Sequence, residues 1–257
     1  MLITCPNLTA GVLILSRASG KLADARPLPR TPGRNMMQYA KKTIRLLWGL
    51  LLMALGLFLT VQADIGLAPW MALAVGCSLL TGATIGSMSI AISLLVIIID
   101  LLLKEKLGFG TILNGVMIGT FIEIIERSGL IPLMPSFLFG LLAVLIGLCL
   151  ICLGSYYYIE AGLGCGPRDA LMVALGKRCP RVPIGMVRSM LEGGALCLGW
   201  LMGAKIGVGT VIFVFGIGSM LQLTFTLLRF DVKGVVHENV FDTIRALRRR
   251  APDSQQG

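Results

Sequence analysis

Apolar residues run almost unbroken over Ile44–Gln62, Ile85–Leu103, Phe109–Ile125, Phe137–Ile159, Ile184–Met202 and Val208–Leu228. Each run approaches the roughly 20 residues that an α-helix needs to cross a hydrocarbon core of about 30 Å. Two shorter apolar segments, Pro69–Leu80 and Pro167–Cys179, each follow a glycine-rich stretch and open on proline, a favourable first helical residue. At about 1.5 Å of rise per residue both are too short to cross, so the pattern predicts long helices interrupted by two short ones.

The pattern occurs twice. Ala63-Asp64-Ile65-Gly66-Leu67-Ala68-Pro69-Trp70 returns as Ala161-Gly162-Leu163-Gly164-Cys165-Gly166-Pro167-Arg168, with Pro69 and Pro167 lying 98 positions apart. The same offset pairs Gly56 with Gly154 and Gln62 with Glu160. A second echo, Leu107-Gly108-Phe109-Gly110-Thr111 against Ile206-Gly207-Val208-Gly209-Thr210, has an offset of 99. Self-similarity in so apolar a chain predicts a membrane protein made of two homologous halves.

Whether the short helices cross decides how the halves are related. If they do not, there are six spans, and each half contributes three. Lys104, Lys106, Arg168, Lys177, Arg178, Arg181 and Arg188 then face the cytoplasm, and only Arg127 and Lys205 face out. If they do cross, eight spans result and the asymmetry weakens. Positive charge concentrates on the cytoplasmic side of membrane proteins, so six spans are favoured. An odd number of spans per half inserts the second half upside down, giving a 3+3 inverted repeat with both termini cytoplasmic. Eight spans would make the repeats parallel. The expected fold is therefore an all-α polytopic membrane protein of the bacterial inner membrane. It has a tail at 1–43, repeats at 44–128 and 137–228, and a further tail at 229–257.

Composition agrees, with 56% apolar and 14% charged residues and a mean hydropathy of +0.86. The formal charge of +10 does not imply nucleic acid, because the basic residues cluster before the first span and after the last, where anionic lipid and insertion topology account for them. The seven cysteines and single histidine show no metal-ligand spacing. Cys149 and Cys152 make a lone C-x-x-C inside an apolar run, and they read as small hydrophobes. No metal, cofactor or nucleophile–base pair is expected, so the chain is not read as an enzyme. The first 35 residues carry a Pro/Arg-rich stretch and are expected to be disordered, or to precede the true start at Met36 or Met37. In the C-terminal tail, Val236, Val240, Phe241, Ile244 and Leu247 recur at helical spacing beside Arg245 and Arg248. They predict a basic amphipathic helix on the inner leaflet.

Candidate chemistry gathers at the two breaks. Backbone that leaves a helix within a membrane must be sheltered by protein or line a water-filled cavity, and amides opening a short helix suit an anionic group. A substrate site is expected around Gln62, Asp64, Gly66, Pro69, Glu160, Gly164, Gly166, Pro167, Arg168 and Asp169. Glu123 and Gln222 are equivalent at offset 99, which makes them candidates for a coupling or structural role, as is the i,i+4 pair Arg188 and Glu192. Asp100 beside Lys104 reads as an exposed surface pair. Tyr156-Tyr157-Tyr158 reads as interfacial aromatics or as cavity lining.

The segments A-D-I-G-L-A-P-W, L-G-F-G-T with I-G-V-G-T, and A-G-L-G-C-G-P-R-D-A-L-M together resemble the YczE/YyaS/YitT family of bacterial membrane proteins over about 45–228. The G-P-R-D at Gly166–Asp169 and the V-R…E of Val187, Arg188 and Glu192 are most similar to the YczE branch, as is the lack of the soluble C-terminal domain of YitT-type members. The resemblance implies a bacterial plasma-membrane protein and supplies no substrate. Two functions are carried forward: a small secondary transporter or permease of an unknown small solute, and a non-transporting accessory or regulatory membrane protein. The lipid bilayer is a partner in either case, nucleic acid in neither, and a homo-oligomer is compatible with both.

Overall fold

The computed structural model describes residues 35–229 apart from 106, 180 and 183, so the N-terminal 34 residues and the amphipathic helix expected beyond 229 lie outside the described residues. Among the described residues eight helices follow one another: α1 (Asn35–Gln62), α2 (Pro69–Thr81), α3 (Ile85–Leu102), α4 (Phe109–Ser128), α5 (Phe137–Ala161), α6 (Pro167–Arg178), α7 (Ile184–Leu201) and α8 (Val208–Leu227). No strand occurs among the described residues. Helix α1 begins at Asn35, ahead of the Ile44 at which the apolar run starts, because the polar turns before it continue the helix. Among the described residues five helices can cross a membrane by length and composition: α1 from Ala40, α3, α4, α5 and α8. Helix α7 is not among them; its 18 residues include Arg188 and Glu192. Large apolar side chains such as Leu94, Ile98, Phe137, Phe139 and Phe215 face outward, which monomeric soluble proteins avoid on this scale.

Helices α1 and α5 form the central seam. Gly49 faces Gly154, Gly56 faces Gly147, and Ala63 faces Gly140, so positions rise along one helix as they fall along the other. The two helices therefore run antiparallel. A Cβ on Gly56 would stand 2.5 Å from the Gly147 carbonyl oxygen, and one on Gly147 would stand 2.7 Å from the Gly56 carbonyl. Only glycine permits backbones to come so close, and dispersion over such contacts is what holds helices together where no water can be expelled.

Around the seam the halves interlock. Helix α2 packs on α7 and α6 on α3, while α4 lies against α1 and α8 against α5. The ends of the short helices are held in matching ways. Cys77 near the end of α2 meets Met202 at 3.8 Å, and Leu79 lies against Gly203. At the end of α6, the Arg178 guanidinium donates to the Leu103 carbonyl at 2.9 Å and Lys177 pairs with Glu105 at 2.7 Å. In one respect the halves differ: α3 packs along α4, whereas α7 and α8 have little or no helix–helix contact among the described residues.

Asp100 departs from its expected place. Instead of forming an exposed pair with Lys104 it is fully buried, and neither carboxylate oxygen has a hydrogen-bond partner among the described residues. The packing of α6 on α3 covers the end of a helix that hydropathy alone would leave at the water boundary.

Candidate functional site

The two breaks are built alike. Gly66 has φ +129° and Gly164 φ +130°, values that L side chains rarely adopt. Each break then ends in an extended residue, Ala68 or Gly166, followed by proline at the first helical position, and no side chain caps either helix.

Each break docks on the opposite half. The Gly209 amide donates to the Ile65 carbonyl at 2.8 Å, and the Gly110 amide donates to the Leu163 carbonyl at 2.8 Å. A Cβ on Gly66 would stand 2.7 Å from the Thr210 amide nitrogen, and one on Gly164 would stand 2.7 Å from the Gly108 Cα. The Thr111 hydroxyl donates to the Cys165 carbonyl at 2.5 Å. The second echo in the sequence thus supplies the cradle for the first, and it does so crosswise. Unsheltered loop backbone within a membrane would strand its polar groups; here helix N-termini provide the donors.

The openings of α2 and α6 meet at one cavity of about 210 Å³, lined from both breaks by Pro69, Trp70, Gly166, Pro167, Arg168 and Asp169. Helix α7 adds Arg188 and Glu192, α4 adds Asn114, and α5 adds Ser155 and Tyr158. The remaining wall is apolar, with Met53, Leu57, Ile118, Ile151, Phe213 and Ile217 among it. The Arg168 guanidinium lies over the Trp70 ring, its carbon 4.9 Å from the centroid, so two residues equivalent in the repeat meet across the centre. Arg188 pairs with Glu192 at 2.9 Å. The charges that act on the Asp169 carboxylate are Arg188, Arg168 and Glu192. All four charged groups belong to the second half. The equivalent places in the first half hold Trp70, Met71, Ser89 and Ser93.

The other residues singled out from the sequence lie elsewhere. Glu160 is ion-paired with Arg45 at 2.6 Å. The Gln62 side chain donates to the Ile131 carbonyl at 2.6 Å, and the Gln62 backbone carbonyl accepts from the Met134 amide at 2.9 Å, tying the α4–α5 connection to the end of α1. Asp64 pairs with Lys205 at 2.7 Å, with both side chains well exposed. Glu123 accepts from the Thr84 hydroxyl and pairs with Arg127 at 2.7 Å, while Gln222 is exposed. Gly66 and Gly164 shape the breaks without lining the cavity. Asn114, Trp70 and Ser155 are cavity residues not singled out from the sequence, although Trp70 had a signal as the repeat equivalent of Arg168; Tyr158, of the tyrosine run read as interfacial or cavity-lining, also lines the cavity. Among the described residues no three His, Cys, Asp or Glu side chains converge to hold a metal.

An all-helical bundle with apolar outer faces and helices long enough to span defines a polytopic membrane protein. Comparison with known proteins agrees. Residues 40–226 match the Family of unknown function (DUF6198). The chain is 37% identical over 207 residues to an "Uncharacterized protein" of Haemophilus influenzae, covering 79% of this chain and 93% of that one. It is 31% identical over 178 residues to the "Uncharacterized membrane protein YczE" of Bacillus subtilis, covering 68% and 81%. It is also 31% identical over 182 residues to the "Uncharacterized protein YyaS" of that organism, covering 69% and 88%. No solved structure matches significantly. The chain belongs to this family of membrane proteins, the one that includes YczE and YyaS.

Proposed function

We propose that the chain is a small secondary transporter or permease of a small solute in the bacterial inner membrane, built as a 3+3 inverted repeat with both termini cytoplasmic. The observation that carries this reading is a single cavity lined by both helical breaks and holding Arg168, Asp169, Arg188 and Glu192. Ionisable groups grouped at a discontinuous-helix site are the recurring plan of such transporters. Its volume, about 210 Å³, lies below the roughly 300–1,000 Å³ of drug-sized sites and suits a small metabolite.

The inverted arrangement is supported by the antiparallel seam and by contacts that exchange equivalent residues between halves. Six spans require α7 to cross as well, with its paired Arg188 and Glu192 turned to the cavity, and they are supported by where the short helices end. The first break and the far end of α2 both lie against the α7–α8 connection, through Lys205 and Gly203. The second break and the far end of α6 both lie against the segment joining α3 to α4, through Gly108 and Leu103. Each short helix in this reading enters and returns on one side. Rocking of one half about the α1–α5 seam would open the cavity to each face in turn. The pairing of Arg45 with Glu160, 115 residues apart, would hold the two seam helices together at one end.

Two measurements test the proposal. A topology reporter fused after Leu80 should read periplasmic and one after Lys106 cytoplasmic; a periplasmic result at Lys106 would overturn the six-span arrangement. Cysteine placed at Ser155, in a background lacking other cysteines, should react with an impermeant thiol reagent added to right-side-out and to inside-out vesicles. Protection from both sides would mean a dry, closed cavity, and would favour the accessory role over transport.

A further inference from the structure

The layout of charge in the cavity narrows the class of solute, an inference that rests on the transporter reading above. The Arg168 guanidinium carbon lies over the Trp70 ring, 4.9 Å from its centroid. A cation–π contact of this kind uses none of the guanidinium's N–H donors as hydrogen bonds, so they stay available to a ligand. Among the described residues no carboxylate forms an ion pair with it, since Glu192 is engaged by Arg188. The neighbouring Asp169 is likewise without an ion pair or hydrogen bond to the described residues. Its Oδ2 stands 3.6 Å from where a Cβ of Gly166 would be, and the Asn114 amide oxygen and nitrogen both lie 3.9 Å from the same point. The absent side chain therefore leaves a small bay edged by the Asp169 carboxylate and by the Asn114 amide, whose oxygen is a second acceptor.

One wall thus offers an open donor edge and an open acceptor bay on adjacent residues, and most of the rest is apolar. The formal charges of Arg168, Arg188, Asp169 and Glu192 cancel. A solute of no net charge enters without stranding a charge away from water, whereas a lone anion or cation leaves one uncompensated. A purely apolar solute would leave the Arg168 donors and the Asp169 acceptors without hydrogen-bond partners.

We propose that the cavity binds a small zwitterion with an apolar tail, of the α-amino-acid type. Its carboxylate lies on the Arg168 edge, its ammonium in the bay between Asp169 and Asn114, and its tail against Met53, Leu57, Ile118 and Phe213.

The test is equilibrium binding to the full chain in lipid nanodiscs. The zwitterions are L-leucine, L-methionine and L-phenylalanine. The comparison ligands are 4-methylpentanoate and 3-methylbutylamine, which keep the leucine tail and lack one charge each. At least one zwitterion should bind saturably, and the singly charged ligands at least about tenfold more weakly, as expected for the loss of one charge-assisted contact. Arg168→Gln should weaken the zwitterion and 4-methylpentanoate while sparing 3-methylbutylamine; Asp169→Asn should do the reverse. Because Asp169 lies in the first turn of α6, Asn114→Ala provides a second probe of the ammonium pole outside that helix. The proposal is overturned if no zwitterion binds, if a singly charged ligand binds as tightly, or if the Arg168 and Asn114 variants bind like the parent. Binding without flux in proteoliposomes would sink the transporter reading and leave the ligand class standing. Flux of some other solute without zwitterion binding would do the opposite.

Discussion

The seam between α1 and α5 invites a quantitative test. Gly56→Ala would place a methyl 2.5 Å from the Gly147 carbonyl oxygen, so reaching an ordinary contact of 3.4 Å demands a retreat of about 0.9 Å. A backbone carbonyl in a helix cannot rotate aside, so the two helices must part. A gap of 0.5–1 Å forfeits a quarter to a half of the dispersion at each contact it opens, and overpacking of this kind costs about 3 kcal/mol at its upper end. Alanine returns up to about 1 kcal/mol of helix propensity, leaving a net loss of about 2 kcal/mol. Gly147→Ala, with its methyl 2.7 Å from the Gly56 carbonyl oxygen, should cost a similar amount. Because one retreat accommodates both methyls, the double variant should lose well under the summed loss of about 4 kcal/mol. Gly193→Ala is the control, since nothing lies within 4 Å of its added Cβ, and it should be neutral or slightly stabilising. Reversible SDS unfolding of the bicelle-reconstituted protein, followed by circular dichroism, measures all four. If Gly56→Ala behaved like Gly193→Ala, or if the two seam substitutions were strictly additive, close backbone approach would not be what holds the halves together.

Two further expectations follow from buried charge, and the same unfolding assay checks both. Glu192→Leu leaves Arg188 without its partner in a largely apolar wall. Because the two side chains keep 33% and 29% of their exposure, the loss should be about 1–3 kcal/mol, below that of a fully buried pair, and Arg188→Leu with Glu192→Leu together should lose less than Glu192→Leu alone; a double variant as unstable as the summed singles would contradict this. Asp100→Asn removes a charge-bearing group that is fully buried and without a hydrogen bond among the described residues, so stability should hold or rise, and a fall of more than about 1 kcal/mol would reveal a partner for the carboxylate.

Much of the architecture was legible from the chain because the signals that govern it are local. Apolar runs of spanning length mark α1, α3, α4, α5 and α8. Glycine that tolerates φ near +130° and proline that suits a first helical turn mark the breaks before α2 and α6. The repeat was visible as spacing, and Gly166, Pro167, Arg168 and Asp169 fall together in one cavity because they are consecutive. What hydropathy and spacing leave open is which polar group meets which. Gln62 and Glu160 occupy equivalent places, yet one ties down the α4–α5 connection and the other holds Arg45 across the seam. Asp100 looks like a surface residue until α6 packs over α3. Asn114 and Tyr158 enter the cavity through helix rotation, which a run that is apolar on every side does not specify. The crosswise docking of each break on the other half's G-x-G-T segment joins residues about 53 positions apart in one case and 144 in the other. Such partnerships depend on how rigid helices cross, a property of the assembled bundle with no counterpart in the pattern along the chain.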